Sequence, residues 1–181
     1  MKRLFTAIDL PHDWLFSLEK TTGFIRNQGV RARFVPTNRI HLTLNFIGET
    51  EREDEIIEAL MKLAPPKEAL IAAGPGGLFK RRGGDLIVRL LSPSPEFLDY
   101  QRREKEVLLS LGFAMDRRPY RPHLTLAREA SGAFLHSEAF GQAFGDLAPF
   151  TPEASLLYWS HFEDGRLHYK PLQAFPFHDH A

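Results

Sequence analysis

The chain of 181 residues contains no cysteine, which excludes disulfides, thiolate nucleophiles and cysteine-based zinc sites. Its chemistry must come from other side chains. It has no apolar run of about 18 residues, the length a membrane-spanning helix needs. The short apolar stretch over 4–10 is interrupted by Asp9 and lacks the core of a signal peptide. A soluble, cytoplasmic protein is the expectation. Net charge of either sign is also missing, since 23 Lys plus Arg balance 23 Asp plus Glu. No long-range field draws the chain to a polyanion, and any anion site has to be local. Three basic clusters exist: Arg31, Arg33 and Arg39; Lys80, Arg81 and Arg82; and Arg117, Arg118 and Arg121. Runs of this kind are as a rule solvated faces. His178, Asp179 and His180 read as a disordered tail. With 43% hydrophobic residues the chain can bury the core of one domain, spanning 1–181.

What is present is a repeat. His-Leu-Thr-Leu occurs at 41–44 and again at 123–126, an offset of 82 residues (123 − 41). The same offset sets Leu4 on Leu86, Ile8 on Leu90, Pro11 on Pro93, Leu15 on Phe97, Leu18 on Tyr100 and Ile25 on Val107. A chance tetrapeptide would not carry its flanking apolar pattern with it, so the chain is expected to hold two similar lobes, over roughly 1–73 and 84–148. Each lobe delivers one His-x-Thr segment.

Each copy opens with a short apolar strand, over 3–8 and 86–91, and continues into a helix that proline introduces. The first helix is expected over 11–27, with Trp14, Leu15, Leu18, Thr22 and Ile25 along one face. The second begins at Ser94 as N-cap and stops at Gly112. Thr50 with Glu53 forms a capping-box pattern ahead of a further helix, whose counterpart over 134–144 is interrupted by glycine. Two β-rich arms, 155–162 and 166–175, form a C-terminal hairpin. The glycine-rich, basic segment 74–84 is expected to connect the lobes or form a mobile flap. The fold class is α+β: a bilobal pseudo-twofold arrangement, each lobe an antiparallel sheet with flanking helices around a central cleft.

Along a strand, side chains i and i+2 share a face, so His41 projects with Thr43 and His123 with Thr125, while Leu42, Leu44, Leu124 and Leu126 face inward. Pro122 delivers the backbone to His123 already extended. Two lobes related by a pseudo-twofold axis set the histidines across a cleft. Phosphodiester hydrolysis needs a base for the attacking water and an acid for the departing oxygen, in line on opposite sides of phosphorus. Two imidazoles with ordinary pKa values near 6.5 can supply both near neutrality. The threonine hydroxyls can donate to the non-bridging oxygens. The scheme needs no metal or other cofactor. Zinc is the competing use of two histidines, but it takes three or four ligands, and none stands at ligand spacing from either.

The two motifs, in the forms HLTLNFIGE and RPHLTLAR, together with the opening RLFTAIDLP, resemble the 2H phosphoesterase superfamily. More narrowly they resemble the RNA 2',3'-cyclic phosphodiesterases, formerly described as 2'-5' RNA ligases. The resemblance implies hydrolysis of an RNA 2',3'-cyclic phosphate to a 2'-phosphomonoester, with His41 as proton donor to the 3'-oxygen and His123 as the base. It implies RNA ends as partners, tRNA halves among them, and a possible reverse 2'-5' ligation. Arg128, in the family pattern HLTLAR, is the cation favoured for the phosphate. Strict alternation sets it opposite His123 and Thr125, so it reaches the site only if the strand bulges. Phe34 and Tyr120, just upstream of the motifs, are candidates to stack on a base, and Arg118 and Arg121 to guide the RNA backbone. A monomer is the default. A non-catalytic RNA-end or nucleotide-binding module, or a phosphodiesterase for small cyclic nucleotides, remains the alternative.

Overall fold

In the computed structural model, which describes residues 1–178, eight strands form one antiparallel sheet pinched at its middle. Asp179 and His180 of the expected tail lie outside the described residues. Strand β1 (Lys2–Ile8) leads through Pro11 into α1 (His12–Asn27), whose Trp14, Leu18, Thr22 and Ile25 are buried as expected, joined by Thr21, while Leu15 is half-buried. Strand β2 (Arg31–Phe34), a short 3-10 turn at Thr37–Arg39 and β3 (Leu42–Thr50) follow, then α2 (Glu53–Met61). The second half of the chain runs through β4 (Ile71–Phe79), β5 (Asp85–Pro93), α3 (Pro95–Ser110) and β6 (His123–Ser131). After a 3-10 turn at Ala133–His136 and the short α4 (Glu138–Gln142), β7 (Ala154–Glu163) and β8 (Arg166–Pro176) close the chain as a hairpin.

The strand order is β4-β5-β6-β3-β1-β7-β8, with β2 added on β6. Strands β3 and β6 share one registered pair, Leu42 with Leu124, and on either side of it the sheet parts into two lobes. One lobe holds β2, β4, β5 and β6; the other holds β1, β3, β7 and β8. The lobes exchange elements, because β2 and β4 precede residue 80 yet pair with β6 and β5. Trp14, Leu18 and Ile25 of α1 pack with Ile87, Leu124 and Leu126 in one core. Ile56 and Leu60 of α2 and Leu108 of α3 pack with Leu4, Leu157 and Phe175 in the other. Helix α3 joins both, since its Phe97 and Tyr100 belong to the first core. Among the described residues no helix is long and apolar enough to cross a membrane.

Two local expectations are corrected. Residues 74–79 are strand, not an inter-lobe connection or flap: β4 pairs with β5 inside one lobe, and the tight turn lies after Phe79. Gly76 serves packing, for a Cβ there would stand 2.1 Å from the Phe144 ring. Thr50 and Glu53 make no capping box. The N-cap of α2 is Arg52, whose N–H bonds Thr50 Oγ1 at 3.0 Å, while Glu53 pairs with Lys2. Ser94 does occupy the N-cap of α3, but its hydroxyl serves Leu70 N–H and the Glu68 carbonyl instead of the helix. The helix ends where expected, with Gly112 at φ +88°.

Candidate active site

The Leu42–Leu124 pair sets the geometry of the cleft. Both leucines are buried, so their side chains leave the cleft face free. In that register His41 lies across from Thr125 and Thr43 across from His123, all four on the opposite face from the leucines. The two imidazoles stand at diagonal corners of this four-residue frame, near enough that His123 is among the charges acting on His41.

Each ring is anchored in the same way. His41 Nδ1–H donates to the Arg39 carbonyl at 2.8 Å, and His123 Nδ1–H to the Arg121 carbonyl at 2.6 Å. A carbonyl only accepts, so Nδ1 keeps its hydrogen and Nε2 is the nitrogen left for chemistry. Thr43 Oγ1 lies 3.0 Å from His41 Nε2. The preceding chain holds these carbonyls in place: buried Ile40 pins the 3-10 turn before His41, and the Pro122 carbonyl accepts from Leu91 N–H at 3.0 Å.

The charged neighbours of the two rings differ. Burial is the largest influence on both and pushes each below the ordinary histidine value. The carboxylate of Asp9 opposes this at His41, while Arg128 and His123 reinforce it. Around His123 the cations Arg121, Arg81 and Arg128 reinforce it. Beside His41 lies a pocket of about 120 Å³. Phe5 and Tyr169 pack against the imidazole at 5.0 and 5.2 Å between centroids. Tyr158 stacks on Phe5 at 5.5 Å and donates its hydroxyl to Asp9 Oδ1 at 2.6 Å. Beside His123 stands Phe79, at 4.8 Å, with the Arg121 guanidinium 4.4 Å over its ring. Among the described residues no group of three or more His, Cys, Asp or Glu side chains is placed to hold a metal ion.

Arg128 reaches the cleft face through a bulge. Ile87 is registered with Ala127 but Val88 with Thr125. Leu126 and Ala127 are therefore both buried, and alternation resumes one residue late. Exposed Arg128 then shares the face of Thr125 and acts on both histidines. The ion pair beside it is Arg33 with Glu129, at 3.1 Å. Phe34 faces away from the cleft, because its cross-strand partner is the buried Ala127; its ring carries the Arg26 guanidinium at 4.6 Å on the α1 side. Tyr120 bridges the lobes, donating to the Thr43 carbonyl at 2.9 Å. Arg118 is tied to Asp116 at 2.6 Å. Phe5, Asp9, Tyr158, Tyr169 and Phe79 were absent from the sequence-based site. Only Asp9 left a local trace, as the charge that breaks the first apolar run.

No family model matches the chain. It is 30% identical over 177 residues to the RNA 2',3'-cyclic phosphodiesterase of Escherichia coli K12, covering 95% of this chain and 94% of that protein. It is 28% identical over 160 residues to an RNA 2',3'-cyclic phosphodiesterase of Geobacillus stearothermophilus, covering 85% of this chain. That match takes in 46% of the Geobacillus protein, so the chain spans about half of its length. Among solved structures, E. coli LigT complexed with 3'-AMP superimposes with a TM-score of 0.73 over 97% of both chains at 23% identity. TT0787 of Thermus thermophilus gives 0.71 at 24% identity, over 98% of this chain and 100% of that one. The bilobal α+β fold is shared with both.

Proposed function

The chain belongs to the RNA 2',3'-cyclic phosphodiesterase family of 2H phosphoesterases, and from that premise we propose that it opens the 2',3'-cyclic phosphate of an RNA end through proton transfer by His41 and His123. The observation that carries this reading is the Leu42–Leu124 pair, which puts two Nδ1-anchored imidazoles and two threonine hydroxyls on one face. Water attacks phosphorus in line with the P–O3' bond, and Nε2 of His123 takes its proton. Nε2–H of His41 protonates the departing O3'. The P–O2' bond stays, leaving a 2'-phosphomonoester and a 3'-hydroxyl, with the protonation states of the two rings exchanged. Each ring contributes roughly 100- to 10,000-fold.

The difference in surroundings supports that division of roles. Burial lowers both rings, but the Asp9 carboxylate favours a proton on His41, whereas Arg121, Arg81 and Arg128 disfavour one on His123. Thr43, Thr125 and Arg128 would stabilise charge on the non-bridging oxygens. In-line geometry puts the ribose on the side of the acid, and the aromatic pocket beside His41 suits the terminal nucleoside. Arg121 borders the opposite side. With a 5'-hydroxyl in place of water, the same groups would form a 2'-5' linkage, so tRNA halves are candidate substrates in either direction. The cleft is complete within one chain, which fits a monomer, and RNA-end substrates fit a cytoplasmic location.

The test is hydrolysis of a 2',3'-cyclic mononucleotide in excess chelator, with the product identified by phosphorus NMR. We expect a 2'-monophosphate, and a loss of at least about 100-fold in both His41→Ala and His123→Ala. Turnover that appears only when zinc is added would overturn the mechanism.

A further inference from the structure

Two phenylalanines on the cleft face of the lobe built from β3, β1, β7 and β8 have no part in the reaction above. Phe46 is 47% exposed and Phe162 is 74% exposed. Both lie on the sheet face that carries Phe5 and Tyr158. Phe46 is the cross-strand partner of Phe5, whose ring packs on His41. Phe162 follows Tyr158 by four residues in a stretch of β7 with unbroken register against β8, and alternation returns it to the Tyr158 face. Arg3 stands between them on β1, two residues before Phe5, with its guanidinium 4.9 Å over the Phe46 ring. Phe46 and Phe162 are two strands apart across the sheet and about four residues apart along it, on the order of 16 Å, which is more than one nucleotide covers.

Phe46 is also the repeat-mate of Arg128. Strand β3 bulges as β6 does: Thr6 is registered with Asn45 but Ala7 with Thr43, so Leu44 and Asn45 are both buried and Phe46 emerges on the cleft face. One bulge delivers a guanidinium beside the phosphate frame and the other an aromatic ring. Aromatic rings accept any base by stacking, and a guanidinium between two rings can hold a phosphate. The patch is continuous with the pocket beside His41, through Phe5, Tyr158 and Tyr169.

We propose that this face is a track for single-stranded RNA, on which nucleotides preceding the cyclic end stack against Phe46 and Phe162 while Arg3 holds an intervening phosphate. The proposal rests on the reading that the terminal phosphate sits between His41 and His123, and it makes an oligonucleotide a better substrate than a mononucleotide. The experiment compares kcat/KM for a short oligoribonucleotide ending in a 2',3'-cyclic phosphate with kcat/KM for the corresponding 2',3'-cyclic mononucleotide. Wild type should favour the oligonucleotide. Phe46→Ala and Phe162→Ala should each lower the oligonucleotide value by about 5- to 100-fold, and the mononucleotide value by no more than about twofold.

Fluorescence anisotropy with the 3'-hydroxyl form of the same oligonucleotide gives a readout independent of catalysis. Both phenylalanine variants should weaken binding, Arg3→Gln should lower the salt slope by about 0.7, and a fully paired duplex should bind less well than the single strand. Equal kcat/KM for the two substrates in wild type, or equal losses on both in the variants, overturns the track. If wild type hydrolyses neither substrate, the catalytic reading fails instead, and the anisotropy of the Phe46 and Phe162 variants still decides the track.

Discussion

His41 and His123 both lose water on entering the cleft, and that loss is the largest influence holding their pKa values below 6.5. In the proposed mechanism the active form carries one proton between the two rings. It is depleted above the higher of two macroscopic pKa values and below the lower. Because both groups are shifted downward, the acid form disappears as pH rises through a value below 6.5. We therefore expect kcat/KM, which reports the free enzyme, to fall on the alkaline side from below pH 6.5. The Asp9 carboxylate opposes the shift at His41, so Asp9→Asn should move that limb further toward acid. The check is kcat/KM against pH for a 2',3'-cyclic mononucleotide. A limb that stays in place in Asp9→Asn would mean the proton does not reside on His41.

At the scale of elements, the bulge in β3 is held by a polar cluster on α3. Gln101 Nε2 donates to the Leu44 carbonyl at 3.3 Å and to Asn45 Oδ1 at 3.2 Å, and Asn45 Nδ2 donates to Glu104 Oε1 at 2.9 Å. Glu104 is fully buried and also accepts from Thr6 Oγ1 and, at 3.1 Å, from Ser155 Oγ. Its carboxyl is raised above the ordinary glutamate value by burial, against hydrogen bonds that favour the charged form. The folded state thus binds its proton more tightly than the unfolded chain. The resulting stability is fully present below the unfolded value of about 4.3 and is lost as pH rises through the raised one. Glu104→Gln cannot ionise, so in urea unfolding it should gain on wild type as pH rises from 4 to 8. Glu104→Ala should cost about 1–3 kcal/mol for each donor left unpaired.

Sequence legibility also divides at this scale. The His-x-Thr strands, the proline-led helices and the C-terminal hairpin were readable, because period, proline and turn residues act locally. Strand β4 was not, since Gly74, Gly76 and Gly77 follow the loop rule until Phe144, far along the chain, is seen packed on Gly76. The face of Phe34 depended on which strand β2 would join, and that strand, β6, lies in the other half of the sequence. The position of Arg128 turned on a single bulge, whose local sign is two consecutive buried residues, Leu126 and Ala127. The pocket beside His41 draws Tyr158 and Tyr169 from the hairpin, and nothing near His41 in the sequence announces them.

For the whole molecule, the frame of His41, Thr43, His123 and Thr125 lies on a seam. Strands β3 and β6 share one registered pair, so the spacing of the histidines depends on what else joins the lobes. Helix α3 does this through the cores, and Tyr120 does it at the site, its hydroxyl 2.9 Å from the carbonyl of Thr43. A bond from the segment before His123 to the backbone between His41 and its bulge ties the two motifs directly. Tyr120→Phe separates this role from base stacking, since it keeps the ring and removes only the hydroxyl. If Tyr120 holds the seam, the variant should lose about 0.5–1.5 kcal/mol in urea unfolding. It should also lose about tenfold in kcat, with KM little changed, because a displaced catalytic group costs rate more than affinity. If the ring instead supports the base, Tyr120→Phe should match wild type in both, and Tyr120→Leu should raise KM while leaving kcat nearly intact.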